Sequence, residues 1–175
     1  MKKQTYLDTR PAFQELVDAQ LERLHRIEGA KKEQNAKRIA AAGEDGSPDL
    51  LPVYIVTKAR LVSAAIYAAA TVDLDTFAAF ARKDMRKHPD LPSVAEERKL
   101  NRDVKHKLIF ILPEQVDYLL LRRGELGVYH GIRLGDRELL HMAVRFFASM
   151  SDANATRYLA LSERIHPRSQ RHAKS

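Results

Sequence analysis

The side chains best suited to chemistry in this sequence are basic. Its last stretch, RIHPRSQRHAKS, carries Arg164, Arg168, Arg171 and Lys174 with no acid among them. Such a run either solubilises a tail or contacts phosphates without sequence preference. Arg122 and Arg123 stand side by side in LLLRRG, where a solvated helix end is a plainer reading than an anion site. Asp73 and Asp75 have the spacing of paired acids, but helix capping accounts for both. The histidines give no metal set, because His130 and His141 are too far apart to share a helix face and no HExxH spacing occurs. Cysteine is absent, which removes thiol catalysis, Cys-ligated zinc and disulfides, and suits a reducing cytoplasm. The sequence contains no Walker loop, no GxGxxG and no GxSxG. No cofactor or metal is implied and no residue is nominated as catalytic. The pattern reads as a binding protein, not an enzyme.

The chain as a whole has a net charge of +7 and a pI near 9.7. That balance favours polyanionic partners, DNA or RNA, or acidic protein surfaces. A hydrophobic fraction of 45% beside 30% charged residues is the composition of a soluble globular protein. The longest apolar run, Leu61 to Val72, is broken by Ser63 and Thr71 and falls short of the ~18–20 residues that span a bilayer. MKKQTYLDTRP has no apolar stretch behind its lysines and is not a secretory signal. No membrane association is expected, and the expected location is cytoplasmic.

Helices must position most of these groups. Pro11 fits a first helical turn capped by Thr9 or Asp8, and Phe13, Val17, Leu21, Leu24 and Ile27 then recur on one face. Glu15, Asp18, Glu22, Arg26 and Lys32 make the opposite face charged, so residues 1–42 read as one long amphipathic helix, suited also to a protein partner. GEDGSPD, from Gly43 to Asp49, is the clearest linker. Residues 50–103 form a helical region. Within it, one continuous buried helix from Val53 to Ala70 fits the length better than a strand running into a helix. A further helix follows, with Phe77, Phe80, Ala81 and Met85 on one face. Arg82, Lys83, Arg86, Lys87 and His88 make its end basic, which complements the helix dipole and need mean nothing more. Ser93 with Glu96 resembles a capping box for a short charged helix. A C-terminal helix and the basic tail occupy 151–175.

Between 104 and 150 the local order reads strand, helix, helix. Lys107 to Leu112 has strand composition; Pro113 and Glu114 suit a helix start, and Gly127 a helix end. After VYHGIRLG, Asp136 caps DRELLHMAVRFFASM, whose Leu139, Leu140, Ala143, Phe146 and Phe147 form a wide apolar stripe. The same residues allow a second reading, in which Lys107–Leu112, VDYLLLRR and GVYHGIRL are three strands of a small meander at 107–134. That would give an α+β domain.

Leu112-Pro113-Glu114, Gly127, and Glu138-Leu139 with Ala143 and Phe147 resemble the ribbon-helix-helix DNA-binding family over about a quarter of the chain, with VYHGIRLG as an insertion between the helices. The resemblance implies a mainly α fold with one short β-strand, that is, a ribbon-helix-helix-like module plus N-terminal helices. It implies an obligate homodimer that pairs two copies of the strand and lays the ribbon in the major groove of duplex DNA. Lys107, Ile109 and Ile111 would face the bases, the isoleucines touching thymine methyls at best. Leu108, Phe110 and Leu112 would face the core. Gly135, Asp136 and Arg137, at the start of the second helix, would clamp a phosphate. The implied role is a transcriptional repressor or a plasmid or phage accessory factor. The charge and the apolar surface also suit a small adaptor or inhibitor that binds a macromolecule without catalysis, or an RNA-binding protein.

Overall fold

The computed structural model describes residues 5–8, 11–43, 46–87, 108–111 and 113–165. The expected capping box at Ser93 and Glu96, Lys107, and the tail residues Arg168, Arg171 and Lys174 lie outside them.

Helix α1 (Pro11–Ala42) buries Phe13, Val17 and Leu24, with Leu21 and Ile27 packed at the edge of the core. It stops at Gly43, whose φ of 66° is left-handed, a conformation that ends a helix without a Cβ clash. Beyond Leu24 the same face continues as Glu28, Lys31, Asn35 and Arg38, so its chemistry changes from apolar to polar within one stripe.

Helix α2 (Lys58–Thr71) begins later than the sequence suggests. Thr57 is its N-cap, its Oγ1 accepting the Arg60 N–H at 3.3 Å. The VYIV segment ahead of it is not helical, which corrects the expectation of a continuous helix from Val53. Its β-branched residues follow Pro52, and the Tyr54 N–H has a side-chain acceptor on α1 in place of a helical carbonyl. Leu61 to Ile66, Ala68 and Ala69 are all buried, so α2 has almost no outward face. Helices α1, α4 (Pro113–His130), α5 (Asp136–Ala148) and α6 (Asp152–Ile165) all pack on it. Its alanines allow those neighbours to approach closely.

Helix α3 (Leu74–Lys87) packs against α4 and α5. Phe77 and Phe80 meet Phe146 edge-on, each with ring centroids 5.1 Å apart. At the other end of the core the Phe13 ring stacks on His141, with centroids 4.4 Å apart and planes within 5°.

The fold class is therefore corrected. Six helices packed on helices make up the described body, and it contains no ribbon-helix-helix module. The only paired extended backbone among the described residues is a single contact within the chain. There β1 (Thr5–Asp8) lies antiparallel to β2 (Leu108–Ile111), with Thr5 opposite Ile111 and Asp8 opposite Leu108. A ribbon-helix-helix strand takes its partner from a second copy; here the partner comes from the same chain. The alternative meander at 107–134 is corrected as well, because Pro113–His130 is one helix. That helix passes through Gly127 and ends before Gly131, where φ is 66°. VYH thus belongs to α4, and the link to α5 is only Gly131–Gly135. Among the described residues no single helix is long and apolar enough to cross a membrane.

Candidate nucleic-acid interface

Helix α3 divides its side chains sharply. Phe77, Ala78, Ala81 and Asp84 are buried, while Arg82, Lys83, Arg86 and Lys87 are exposed. At 3.6 residues per turn those four cations fall within an arc of about 140°, and Arg82 and Arg86 are about 6 Å apart along the axis. The one carboxylate in that stretch is withdrawn from them. Asp84 is 7% exposed and accepts a hydrogen bond from Arg145 Nε at 2.7 Å, so it is neutralised inside the body. Arg82 is steadied by α4, its Nη2 donating to the His130 carbonyl at 3.3 Å. His130 Nε2 in turn lies 3.3 Å from Asp75 Oδ1. At the far end of α3, Asp73 accepts from the Thr76 N–H at 2.9 Å and from the Thr76 hydroxyl at 3.2 Å. The Thr76 N–H holds the Asp73 carboxyl below the usual carboxylate range. Asp73 thus acts as a helix cap.

The residues nominated from sequence are not brought together in this way. Ile109 lies opposite Leu7 and Ile111 opposite Thr5 in the intrachain strand pair. At the start of α5 the Gly135 N–H already has an acceptor, Glu138 Oε2 at 2.6 Å. Asp136 is ion-paired with Arg123, and Arg137 is half-buried. This helix start therefore presents two carboxylates of its own, Asp136 and Glu138, where a phosphate clamp would need free N–H groups. Arg164 lies within α6.

Arg122 is neither a solvated helix end nor an anion site. It is 6% exposed, donates from Nη2 to the Ala70 carbonyl and to the Val72 carbonyl at 2.9 Å, and so closes the C-terminus of α2. Its partner in charge is Glu125, at 3.3 Å.

The polar half of the α1 stripe holds the segment before α2 as a strap. Arg38 donates to the Asp49 carbonyl. Asn35 makes two bonds to Leu51, both 2.8 Å, donating to its carbonyl and accepting from its N–H. Glu28, 3% exposed, accepts from the Tyr54 N–H and from Lys31 Nζ, both at 2.7 Å. His25 Nε2 is 3.2 Å from the Val56 carbonyl. A cleft of about 550 Å³ opens between the strap and α1, lined by His25, Glu28, Gly29, Lys32 and Val53–Val56. Both Glu28 oxygens and the His25 Nε2 face groups of the strap or of α1, so these side chains serve the strap's anchorage. Among the described residues no group of three or more His, Asp or Glu could hold a metal ion.

The basic strip was visible in the sequence as a run, but not its freedom from acid. That depends on Asp84 pairing with Arg145, 61 residues away. No protein-family model, no curated protein and no solved structure matches the chain.

Proposed function

We propose that the chain is a non-catalytic, cytoplasmic nucleic-acid-binding protein that holds duplex DNA by its phosphates through the outer face of α3. The observation that carries this reading is the strip Arg82, Lys83, Arg86 and Lys87, exposed together while Asp84 is buried against Arg145. Counterion release makes such a strip a phosphate ligand, and contacts to phosphates carry no sequence information. Binding is therefore tolerant of sequence, and the basic tail from Arg164 adds to it. The sequence surplus of positive charge supports the same partner.

The test is anisotropy of a labelled duplex titrated at several salt concentrations. The four phosphate contacts of the strip contribute about −3.6 to the slope of log K against log salt, at roughly −0.9 per contact, with the tail's contribution on top. Substituting Lys83, Arg86 and Lys87 by Ala is expected to make the slope less steep by about 2.7. The tail remains in both proteins and cancels from that difference. An unchanged slope in the triple variant would sink the proposal.

A further inference from the structure

The ring of His130, in the last turn of α4, stands between two side chains of α3. Its Nε2 lies 3.3 Å from Asp75 Oδ1, and its Nδ1 lies 3.4 Å from Arg82 Nη2, which also donates to the His130 carbonyl at 3.3 Å. A neutral ring with its proton on Nε2 satisfies both neighbours, donating to the carboxylate and accepting from the guanidinium. The His130 side chain is 13% exposed and that of Asp75 is 86% exposed, so the ring sits in the body while its neighbours reach solvent. Among the described residues, α3 thus supplies both charged groups that meet the ring. Of the other elements packed on α4, α2 has its cations, Lys58 and Arg60, in its first turn. At the start of α5, Asp136 pairs with Arg123, and Glu138 accepts from the Gly135 N–H. On α4 itself Glu125 pairs with Arg122, and the exposed Arg133 follows in the link.

We propose that protonation of His130 releases Arg82 from α4 and so tightens the hold of α3 on phosphate as pH falls, an inference that rests on the phosphate-binding reading of that helix. Imidazole is the side chain whose charge changes between about pH 5 and 8. The added proton goes to Nδ1, where it turns the acceptor of Arg82 into a second donor and sets two cations against each other. Asp75 holds Nε2 in both states, so the ring stays and the guanidinium moves off into solvent. With the ring neutral, a phosphate has to draw Arg82 away from Nδ1; with the ring charged it does not. The strip keeps its four contacts in both states, and the affinities differ by the strength of one hydrogen bond, roughly 3–10-fold. His130 is thus a positioning residue for Arg82.

The experiment pairs labelled-duplex affinity with side-chain NMR on the full chain, at about pH 8 and about pH 5.5 and at one fixed salt concentration. Wild type, His130→Gln and Arg82→Ala are compared, so the titration of the other histidines is common to all three. Wild type is expected to bind more tightly at the lower pH, with roughly 3–10-fold of that gain absent from both variants. Glutamine cannot take up the proton, and without Arg82 the proton has nothing to release. Arg82 is exposed, so its truncation leaves the core untouched. In the protein without DNA, the Arg82 Nε–H signal should become more mobile at the same midpoint as the His130 ring titrates. A gain as large in His130→Gln as in wild type overturns the proposal, as does a gain that survives in Arg82→Ala, or an Arg82 signal indifferent to the ring. A duplex that binds at neither pH sinks the phosphate reading and this regulation with it, whereas binding with one pH response in all three proteins sinks the regulation alone.

Discussion

Glu28 offers the sharpest test of how the strap is held. Its carboxylate is 3% exposed and accepts from the Tyr54 N–H and from Lys31 Nζ at 2.7 Å each. In Glu28→Ala the Tyr54 amide loses a charged acceptor, worth about 1.5–3 kcal/mol. Lys31 also loses its partner, but its side chain is 17% exposed and its ammonium can turn to water, so the large penalty of a stranded buried charge does not apply. The expected loss is therefore about 2–3 kcal/mol. With a urea dependence of about 2 kcal/mol per molar, that lowers the unfolding midpoint by roughly 1 M. Glu28→Gln keeps an oxygen for Tyr54 and should lose about half as much. Amide exchange separates the local from the global effect: the Tyr54 N–H should exchange about 10–100-fold faster in the Ala variant even where global stability is restored by osmolyte. Unchanged exchange at Tyr54, or a Gln variant as damaged as the Ala one, would refute the reasoning.

Three further outcomes follow from the geometry. Arg122→Met keeps the buried stem but strips the Ala70 and Val72 carbonyls of their donor, and thermal melts should show a loss of about 2–3 kcal/mol. Arg122→Lys should not recover it, because one ammonium cannot reproduce the guanidinium fork. Gly131→Ala places a Cβ at a φ of 66° and should destabilise by about 1–2 kcal/mol, with Asn tolerated better than Ala. Asp73→Asn should lower the melting temperature of the wild type by an amount that is constant above pH 3.8, the ordinary carboxylate value. The native carboxyl ionises at lower pH than the unfolded one, so its contribution is complete above that value. It is lost as pH falls through the native value, and the two melting curves should converge there.

What was legible in the sequence followed from short-range periodicity. Phe13, Val17 and Leu24 repeat at helical spacing and are buried, as are Leu139, Leu140, Ala143, Phe146 and Phe147 on α5. What was illegible depends on partners far along the chain. Glu28, Asn35 and Arg38 continue the spacing of the apolar stripe, but their partners are carbonyls and N–H groups of residues 49–54, and backbone atoms leave no compositional trace. The same holds for Arg122, which binds carbonyls about 50 residues earlier, at Ala70 and Val72. TYLD has strand formers in Tyr and Thr, yet nothing local ties it to Leu108–Ile111. The resemblance around Leu112-Pro113-Glu114 rested on local order alone, and local order does not specify whether a strand's partner lies in the same chain or another one. Even within α4 the glycines misled: Gly127 has the composition of a helix end, but the left-handed residue is Gly131.

The enclosure of α2 has a consequence for how the protein is made. Two of the helices that sheathe it, α5 and α6, begin at Asp136 and Asp152, long after Lys58–Thr71 has left the ribosome. An alanine-rich, leucine-bearing helix must therefore wait without its cover while about half of the chain is still being synthesised. A nascent chain stopped before Asp136 should therefore stay bound to chaperones, whereas one extended past Ile165 should be released.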